Sequence, residues 1–295
     1  MSRRCGCSPG DTGAVRFRLE AGGLTDVGRR RQNNEDCFAI VPLGEPATAP
    51  SPQAAVAGPL AVLGVLLVVA DGLGGARAGE VASRLAVAAV VAELRANAAA
   101  SVDMAETLFG GVAAAHAAVS RAAEGSPEWR GMGCTLSVLW VRPGRAALAH
   151  VGDSRIYRWH AGRLDQLTRD QTVVQGLAVP GGSVAGPDVP PRLRGVLEQA
   201  IGGDGDIPQP QVDEFAVGPG DRFLLCTDGC HDRLGTADFA ARLGATPFAP
   251  VACARGLVGE ACRRGGHDNI TVIVAGCAAP VPHWLGFARR WLGRS

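Results

Sequence analysis

Five places in the chain set an acid beside a turn at the end of an apolar or alternating run. They are Glu35-Asp36, Asp71-Gly72, Asp153 in the turn Gly-Asp-Ser-Arg, Asp228-Gly229 and Asp268-Asn269. The run Leu66 to Ala70 rises directly into Asp71, and the stretch DRFLLCTDG repeats that design at Asp228. Strand ends can converge on one rim of a sandwich, and carboxylates gathered there without counter-charges repel, so convergence implies cations between them. The donors are all oxygens, with no obligatory His or Cys, which selects hard ions such as Mg²⁺ or Mn²⁺ over zinc. Two such ions sharing a carboxylate acidify a bridging water, and a neighbouring arginine can fork onto phosphate oxygens. The chemistry implied is hydrolysis of a phosphate ester by in-line attack of water. Read singly, the Arg29–Arg31 cluster is a charged surface turn, and Asp153 is a turn aspartate bonding its own backbone.

Other chemistries are excluded by particular residues. The 29 lysine-plus-arginine positions are all arginine, which removes Walker P-loops, protein kinases and Schiff-base enzymes. A dinucleotide fingerprint starting at Gly72 fails at Arg77, and a nucleophile elbow around Ser154 fails at Ile156. A net charge of +1 with no basic face gives nucleic-acid binding no support. Nine scattered cysteines without a C-x-x-C argue against a zinc site or a disulfide framework and for a reduced, cytoplasmic chain. The N-terminus lacks the apolar core of a signal peptide, and the longest apolar run, Leu60 to Ala70, is too short to span a bilayer.

The elements that must position these residues follow from periodicity. Residues 1–14 are expected to be disordered, and Val15–Leu24 and Cys37–Val41 read as strands. Pro42 to Pro59, rich in Ala, Pro and Gly, reads as a surface loop. A helix is expected from Gly79 to about Ala99, with Val81, Leu85, Ala88 and Ala92 on one face. A second starts at Asp103, whose spacing to Glu106 is that of a capping box, and leaves His116 off its apolar stripe as a solvated residue. From Gly131 the period changes to two, and four short strands to Leu167 read as an antiparallel meander. Gln171 to Asp206 is a long irregular loop. Val212–Val217 and Asp221–Thr227 read as a hairpin through Gly218–Gly220, followed by helices near Thr236–Leu243 and Pro250–Arg264 and a last strand after Asp268. Trp284, Phe287, Ala288, Trp291 and Leu292 stripe one face of a basic C-terminal helix. It either packs on its own domain or docks to a partner or an anionic membrane surface.

Seven stretches, in order, carry a resemblance: TDVG with RQNNED, VVADGLGGARAGEVAS, GMGCTLS, AHVGDSRIYR, LTRDQT, GDRFLLCTDG and GGHDNITVIVA. They resemble the metal-dependent protein phosphatases of type 2C, in the bacterial serine/threonine branch. The resemblance implies an α+β fold, a four-layer αββα sandwich of two antiparallel sheets flanked by helix pairs, over residues 15–278. Residues 171–206 would form a flap, and 279–295 the tail. It implies that Asp71 bridges two Mn²⁺ or Mg²⁺ ions, with the Gly72 carbonyl on one and Asp228 and Asp268 on the other. Glu35 and Asp36 would act through waters, and Asp153 with Asp228 would hold a third, weaker ion. Arg31, four residues before Glu35, would clamp the substrate phosphate.

The implied activity is dephosphorylation of phosphoserine and phosphothreonine in proteins, with a bacterial serine/threonine kinase and its substrates as partners. The alternatives are a pseudophosphatase, a phosphoprotein-binding scaffold on the same fold, and a phosphatase dedicated to one regulator. Gln171 departs from the family's histidine in LTRDQT. Leu73 stands where eukaryotic relatives carry a histidine proposed as general acid, which leaves a water or another histidine, His231 or His267, to protonate the leaving group. Cys226 is expected in the strand core, and Cys230 is expected exposed beside the ions, where it could be redox-sensitive.

Overall fold

The computed structural model describes residues 17–45, 51–73, 78–100, 103–176, 193, 195–203 and 206–279. The N-terminus expected to be disordered, the glycines at 74 and 75, the centre of the 171–206 segment and the tail from 280 lie outside these residues.

The first half of the chain comprises β1 (Arg18–Asp26), β2 (Cys37–Pro42), β3 (Gln53–Pro59), β4 (Val65–Ala70), β5 (Gly72–Leu73), α1 (Ala78–Asn97) and α2 (Met104–Gly125). Then follow β6 (Gly133–Cys134), β7 (Leu136–Arg142), β8 (Arg145–Val151), β9 (Arg155–His160), β10 (Arg163–Gln166) and the single turn α3 (Val173–Gly176). The last part holds β11 (Ile201–Gly202), β12 (Gln211–Ala216), β13 (Arg222–Cys226), α4 (Asp228–His231), α5 (Thr236–Leu243), α6 (Pro250–Arg263) and β14 (Ile270–Ala278). A six-stranded antiparallel sheet has the order β10-β9-β13-β14-β1-β3, and a five-stranded one the order β12-β8-β7-β4-β2. A small third sheet, β11-β6-β5, forms beside Asp71.

Four layers follow from how the strands distribute their side chains. On β4, Val65, Leu67 and Val69 join the core between the sheets, whereas Leu66, Val68 and Ala70 join the core beneath α1 and α2. On β14, Ile273 and Ala275 face the inter-sheet core, and Val272 and Val274 face α5 and α6. Strands covered on both faces are apolar at nearly every position, which is why β4 reads as an unbroken hydrophobic run and β14 as one interrupted by Thr271. Leu67 is fully buried. Truncating such a side chain to alanine costs about 2–5 kcal/mol through lost transfer energy and the cavity left behind. Helix α2 starts where expected, with Asp103 Oδ1 accepting from the N–H groups of Ala105 at 2.8 Å and Glu106 at 3.1 Å.

Four expectations are corrected. Pro42–Pro59 is not wholly a loop: its second part is β3, which pairs with β1 from Arg18↔Pro59 to Leu24↔Gln53. Its alternately exposed alanines and glycine carry little strand signal, and the backbone of β1 supplies the pairing instead. The run from β7 to β10 is not one meander. β7 and β8 pair in the five-stranded sheet, while β9 pairs with β13 and β10 in the other, so the chain changes sheets at Gly152–Ser154. Likewise β12 pairs with β8 and β13 with β14, so Gly218–Gly220 is a corner between sheets and not a hairpin turn. His116 is buried, and its Nδ1 accepts from the Gly202 N–H at 3.1 Å, tying α2 to β11.

Candidate active site

Register brings the acids together. Cys37 at the start of β2 pairs with Ala70 at the end of β4, so Glu35-Asp36 and Asp71 leave the five-stranded sheet at the same end. In the facing sheet Cys226 at the end of β13 pairs with Val272 near the start of β14, which places Asp228 and Asp268 at one end too. Asp153 follows β8 at the point where the chain crosses between the sheets. A cleft of about 270 Å³ at this rim is lined by Arg31, Glu35, Asp71, Gly72, Leu73, Asp153, Asp228, Asp268 and Asn269, with Gly195 and Leu197 from the returning limb of the 171–206 segment.

Backbone contacts fix the walls. Asp71 N–H donates to Thr135 Oγ1 at 2.9 Å, and the Asp71 carbonyl accepts from Thr135 N–H at 2.8 Å. Asn269 Oδ1 accepts from Glu35 N–H at 2.8 Å, and its Nδ2 donates to the carbonyls of Val27 at 3.1 Å and Asn33 at 2.8 Å. Asn269 therefore staples the whole Val27–Glu35 loop onto the last strand. Ser83 Oγ donates to the Glu35 carbonyl at 2.6 Å. The glycines after the acids allow close approach. A Cβ on Gly229 would stand 2.0 Å from the Asn269 carbonyl oxygen, and one on Gly79 would stand 2.6 Å from Glu35 Oε2.

The electrostatics are those of crowded, buried carboxylates. Burial, followed by the charges of Asp36, Asp228 and Asp153, holds Asp71 well above the usual carboxylate range. Asp228 is also raised, by burial and then by the charge of Asp268. Asp153 is pushed up to about 6 by burial and then by Asp228, and Glu35 is raised chiefly by burial. Arg31 lies at the mouth with its Nη2 2.7 Å from Asp268 Oδ2, and this hydrogen bond raises its pKa.

Asp36 does not line the cleft. Its carboxylate points beneath it, where Oδ2 accepts from Thr271 Oγ1 at 2.6 Å and Thr227 Oγ1 at 2.9 Å. Burial raises it to about 7, against the lowering effect of the two hydroxyls. The structure thus gathers every acid named from the sequence at one rim, with Asp36 one layer deeper. His231 and His267 are not among the cleft's lining residues. His231 Nε2 donates to the Asp153 carbonyl at 3.1 Å, and His267 is exposed. Cys226 is in the core as expected, whereas Cys230 is buried rather than exposed, because α4 turns it into the cluster with Phe239 and Leu257. Sequence reasoning missed Thr135, Thr227 and Thr271. Their signal was a hydroxyl inside or at the end of an otherwise apolar strand, where it must find a partner.

The donor set fits hard divalent cations on three observations. Asp36 Oδ1 and Asp228 Oδ1 are buried with no hydrogen-bond partner among the described residues. The charges of Asp36, Asp228 and Asp153 push Asp71 up, a crowding that a cation would relieve. The lining donors are carboxylates, an amide and backbone carbonyls. Among the described residues no three carboxylate, histidine or cysteine side chains close on one point.

The comparisons with known proteins give this four-layer αββα sandwich, with its carboxylate rim between the sheets, a family. The family model for protein phosphatase 2C matches residues 61–255. The chain is 36% identical over 210 residues to the serine/threonine protein phosphatase PstP of Mycobacterium tuberculosis, covering 71% of this chain and 40% of that protein's length. It is 29% identical over 255 residues to protein phosphatase PhpP of Streptococcus pneumoniae, covering 86% of this chain and 96% of PhpP. A crystal structure of the catalytic domain of PstP in complex with two manganese ions superposes with a TM-score of 0.70 at 31% identity, covering 89% of this chain and 99% of that one. The chain belongs to the protein phosphatase 2C family.

Proposed function

We propose that the chain is a Mn²⁺- or Mg²⁺-dependent phosphatase that hydrolyses phosphoserine and phosphothreonine in proteins. The observation that carries this reading is the meeting of Glu35, Asp71, Asp153, Asp228 and Asp268 with Arg31 around one cleft. The two manganese ions in the PstP catalytic domain support it. Asp71, the Gly72 carbonyl, Asp228 and Asp268 would hold two ions, Glu35 and Asp36 would act on them through waters, and Asp153 with Asp228 would hold a third, weaker one. Bound there, such ions acidify a water for in-line attack on phosphorus.

The chain's own side chains do the rest. Arg31 turns its guanidinium from Asp268 onto two phosphate oxygens and fixes the ester in line. Leu73 and Leu197 give the cleft apolar wall, and water in the cleft supplies the proton to the leaving seryl or threonyl oxygen. A scaffold reading finds no support, since the acids that hold the ions are all present.

The substrates and partner would be phosphorylated proteins and the bacterial serine/threonine kinase that modifies them. The seven cysteines among the described residues are unpaired, which accords with a cytoplasmic chain. Among the described residues, no helix is long and apolar enough to cross a membrane. Peripheral docking through the tail is carried by the sequence of that tail. Hydrolysis of p-nitrophenyl phosphate by the full chain tests the reading. Activity should require Mn²⁺ or Mg²⁺, vanish in EDTA and return when the ion is restored, and activity that persists in EDTA would refute it.

A further inference from the structure

The chain crosses between the sheets through Gly152, Asp153 and Ser154, and the sandwich itself holds two of these residues. Ser154 Oγ meets Thr135 Oγ1 at 2.7 Å, and the Ser154 carbonyl accepts from Ser137 Oγ at 3.4 Å. The Asp153 carbonyl accepts from His231 Nε2 on α4 at 3.1 Å. Gly152 is held from elsewhere. Its N–H donates to Gln171 Oε1 at 2.9 Å, and its carbonyl accepts from Gln171 N–H at 2.7 Å. Gly152 cannot readjust freely. Its φ is 104°, and a Cβ there would stand 2.7 Å from Thr135 Cγ2.

Gln171 is also where the 171–206 segment begins. Its carbonyl accepts from Glu198 N–H at 2.8 Å, Val173 N–H donates to the Val196 carbonyl at 2.9 Å, and Thr172 bridges Leu197. One residue therefore grips the outgoing and returning limbs of this stem together with the backbone next to Asp153. Leu197 and Asp153 line the same cleft.

We propose that Gln171 is a positioning residue that locks the stem of the 171–206 segment to the Gly152–Asp153 crossing, so that the Asp153 carboxylate and Leu197 keep one relative placement. It rests on the phosphatase reading only in taking Asp153 as an ion ligand. Gln171→Ala removes the acceptor for the Gly152 N–H, along with the longer donation from Gln171 Nε2 to the His150 carbonyl at 3.4 Å, and leaves the backbone bond from Gln171 N–H. Amide exchange at Gly152, followed in the full chain, should then speed up about tenfold, the scale of one lost hydrogen bond. Gln171→Glu gives up only the 3.4 Å donation to the His150 carbonyl, keeps an acceptor for the Gly152 N–H and should restore protection there. Titration with Mn²⁺ alone should show the weakest class of site about tenfold weaker in Gln171→Ala, as for loss of an outer-shell support, with the tightest class unchanged.

Unchanged exchange at Gly152, or Mn²⁺ sites that all stay the same or all weaken alike, would overturn the proposal. Neither readout uses turnover. A wild-type chain that binds Mn²⁺ but hydrolyses no phosphoester would therefore count against the phosphatase reading and not against this one.

Discussion

Arg31 donates from Nη2 to Asp268 Oδ2 at 2.7 Å, joining two loops 237 positions apart at the mouth of the cleft. The guanidinium that would bind phosphate thus rests on an acid that would bind an ion. An ion drawing on Asp268 would free Arg31 for the substrate, so the two events would support one another. Arg31→Ala should lower kcat/KM on a phosphothreonine peptide by about 10–100-fold, the range for losing charge-assisted hydrogen bonds. Most of the loss should fall on KM. Arg31→Lys should recover part of it, since a point charge replaces a fork. Steady-state kinetics at saturating Mn²⁺ checks this, and an unchanged KM in Arg31→Ala would contradict it.

Thr271 and Thr227 are the hydrogen-bond donors to the buried Asp36 carboxylate. Thr271→Val keeps the shape and removes the shorter bond, together with the contact of Thr271 Oγ1 to Thr25 Oγ1 at 2.7 Å. Leaving a buried charged acceptor short of a partner costs about 1–3 kcal/mol. Urea unfolding in EDTA at neutral pH should show a loss of that size, and a change below about 0.5 kcal/mol, the usual scale of surface substitutions, would count against it.

The acids were legible in the sequence because each follows or precedes an apolar strand, and antiparallel pairing sends such ends to a common rim. The destination of Asp36 was not legible. Its two hydroxyl partners lie 191 and 235 positions away, and only the packed sheets bring them together. His116 was misread for the same reason, since its partner is a backbone N–H 86 positions away. The corners at Gly152 and Gly218–Gly220 looked like hairpins because a glycine turn has the same local sequence whether the chain returns to its own sheet or crosses to the facing one. β3 was missed because a run of alanines at a sheet edge carries no alternation strong enough to detect.

Raised carboxylates make metal binding compete with protons. Asp36 and Asp153 are pushed up to about 7 and about 6, above their ordinary value of 3.8. Between the ordinary and raised values the folded chain binds more protons than the unfolded one, so without metal its stability from these groups falls as pH rises through that window. Bound cations would replace those protons and relieve the repulsion. The rise in Tm on adding Mn²⁺ should therefore be larger at pH 7.5 than at pH 5.5, values chosen on either side of about 6–7. Equal shifts at the two pH values would contradict this.

His150 acts with the opposite sign. It is fully buried, its Nδ1 lies 2.8 Å from Ser137 Oγ, and burial pushes it down from 6.5 to about 4. Between those values the unfolded chain binds a proton that the folded one does not, so stability falls as pH falls from about 6.5 toward about 4. At 1.36 kcal/mol per pH unit, this group accounts for a loss of about 2 kcal/mol between pH 7 and pH 5. Urea unfolding in EDTA at both pH values should show that His150→Gln removes a pH dependence of about that size. Parallel pH profiles for the two proteins would count against it.

Asp71 feels the charges of Asp36, Asp228 and Asp153 together, and its backbone is pinned by Thr135. Asp71→Asn keeps the shape and removes the charge that would be shared between two ions. The most direct test is phosphate release from a phosphothreonine peptide across a Mn²⁺ titration, comparing the wild-type chain with Asp71→Asn. Release should depend on Mn²⁺ in the wild type and fall about 1,000-fold or more in the variant, as for removal of a group on which the chemistry depends. Release by Asp71→Asn at near wild-type rates would contradict it.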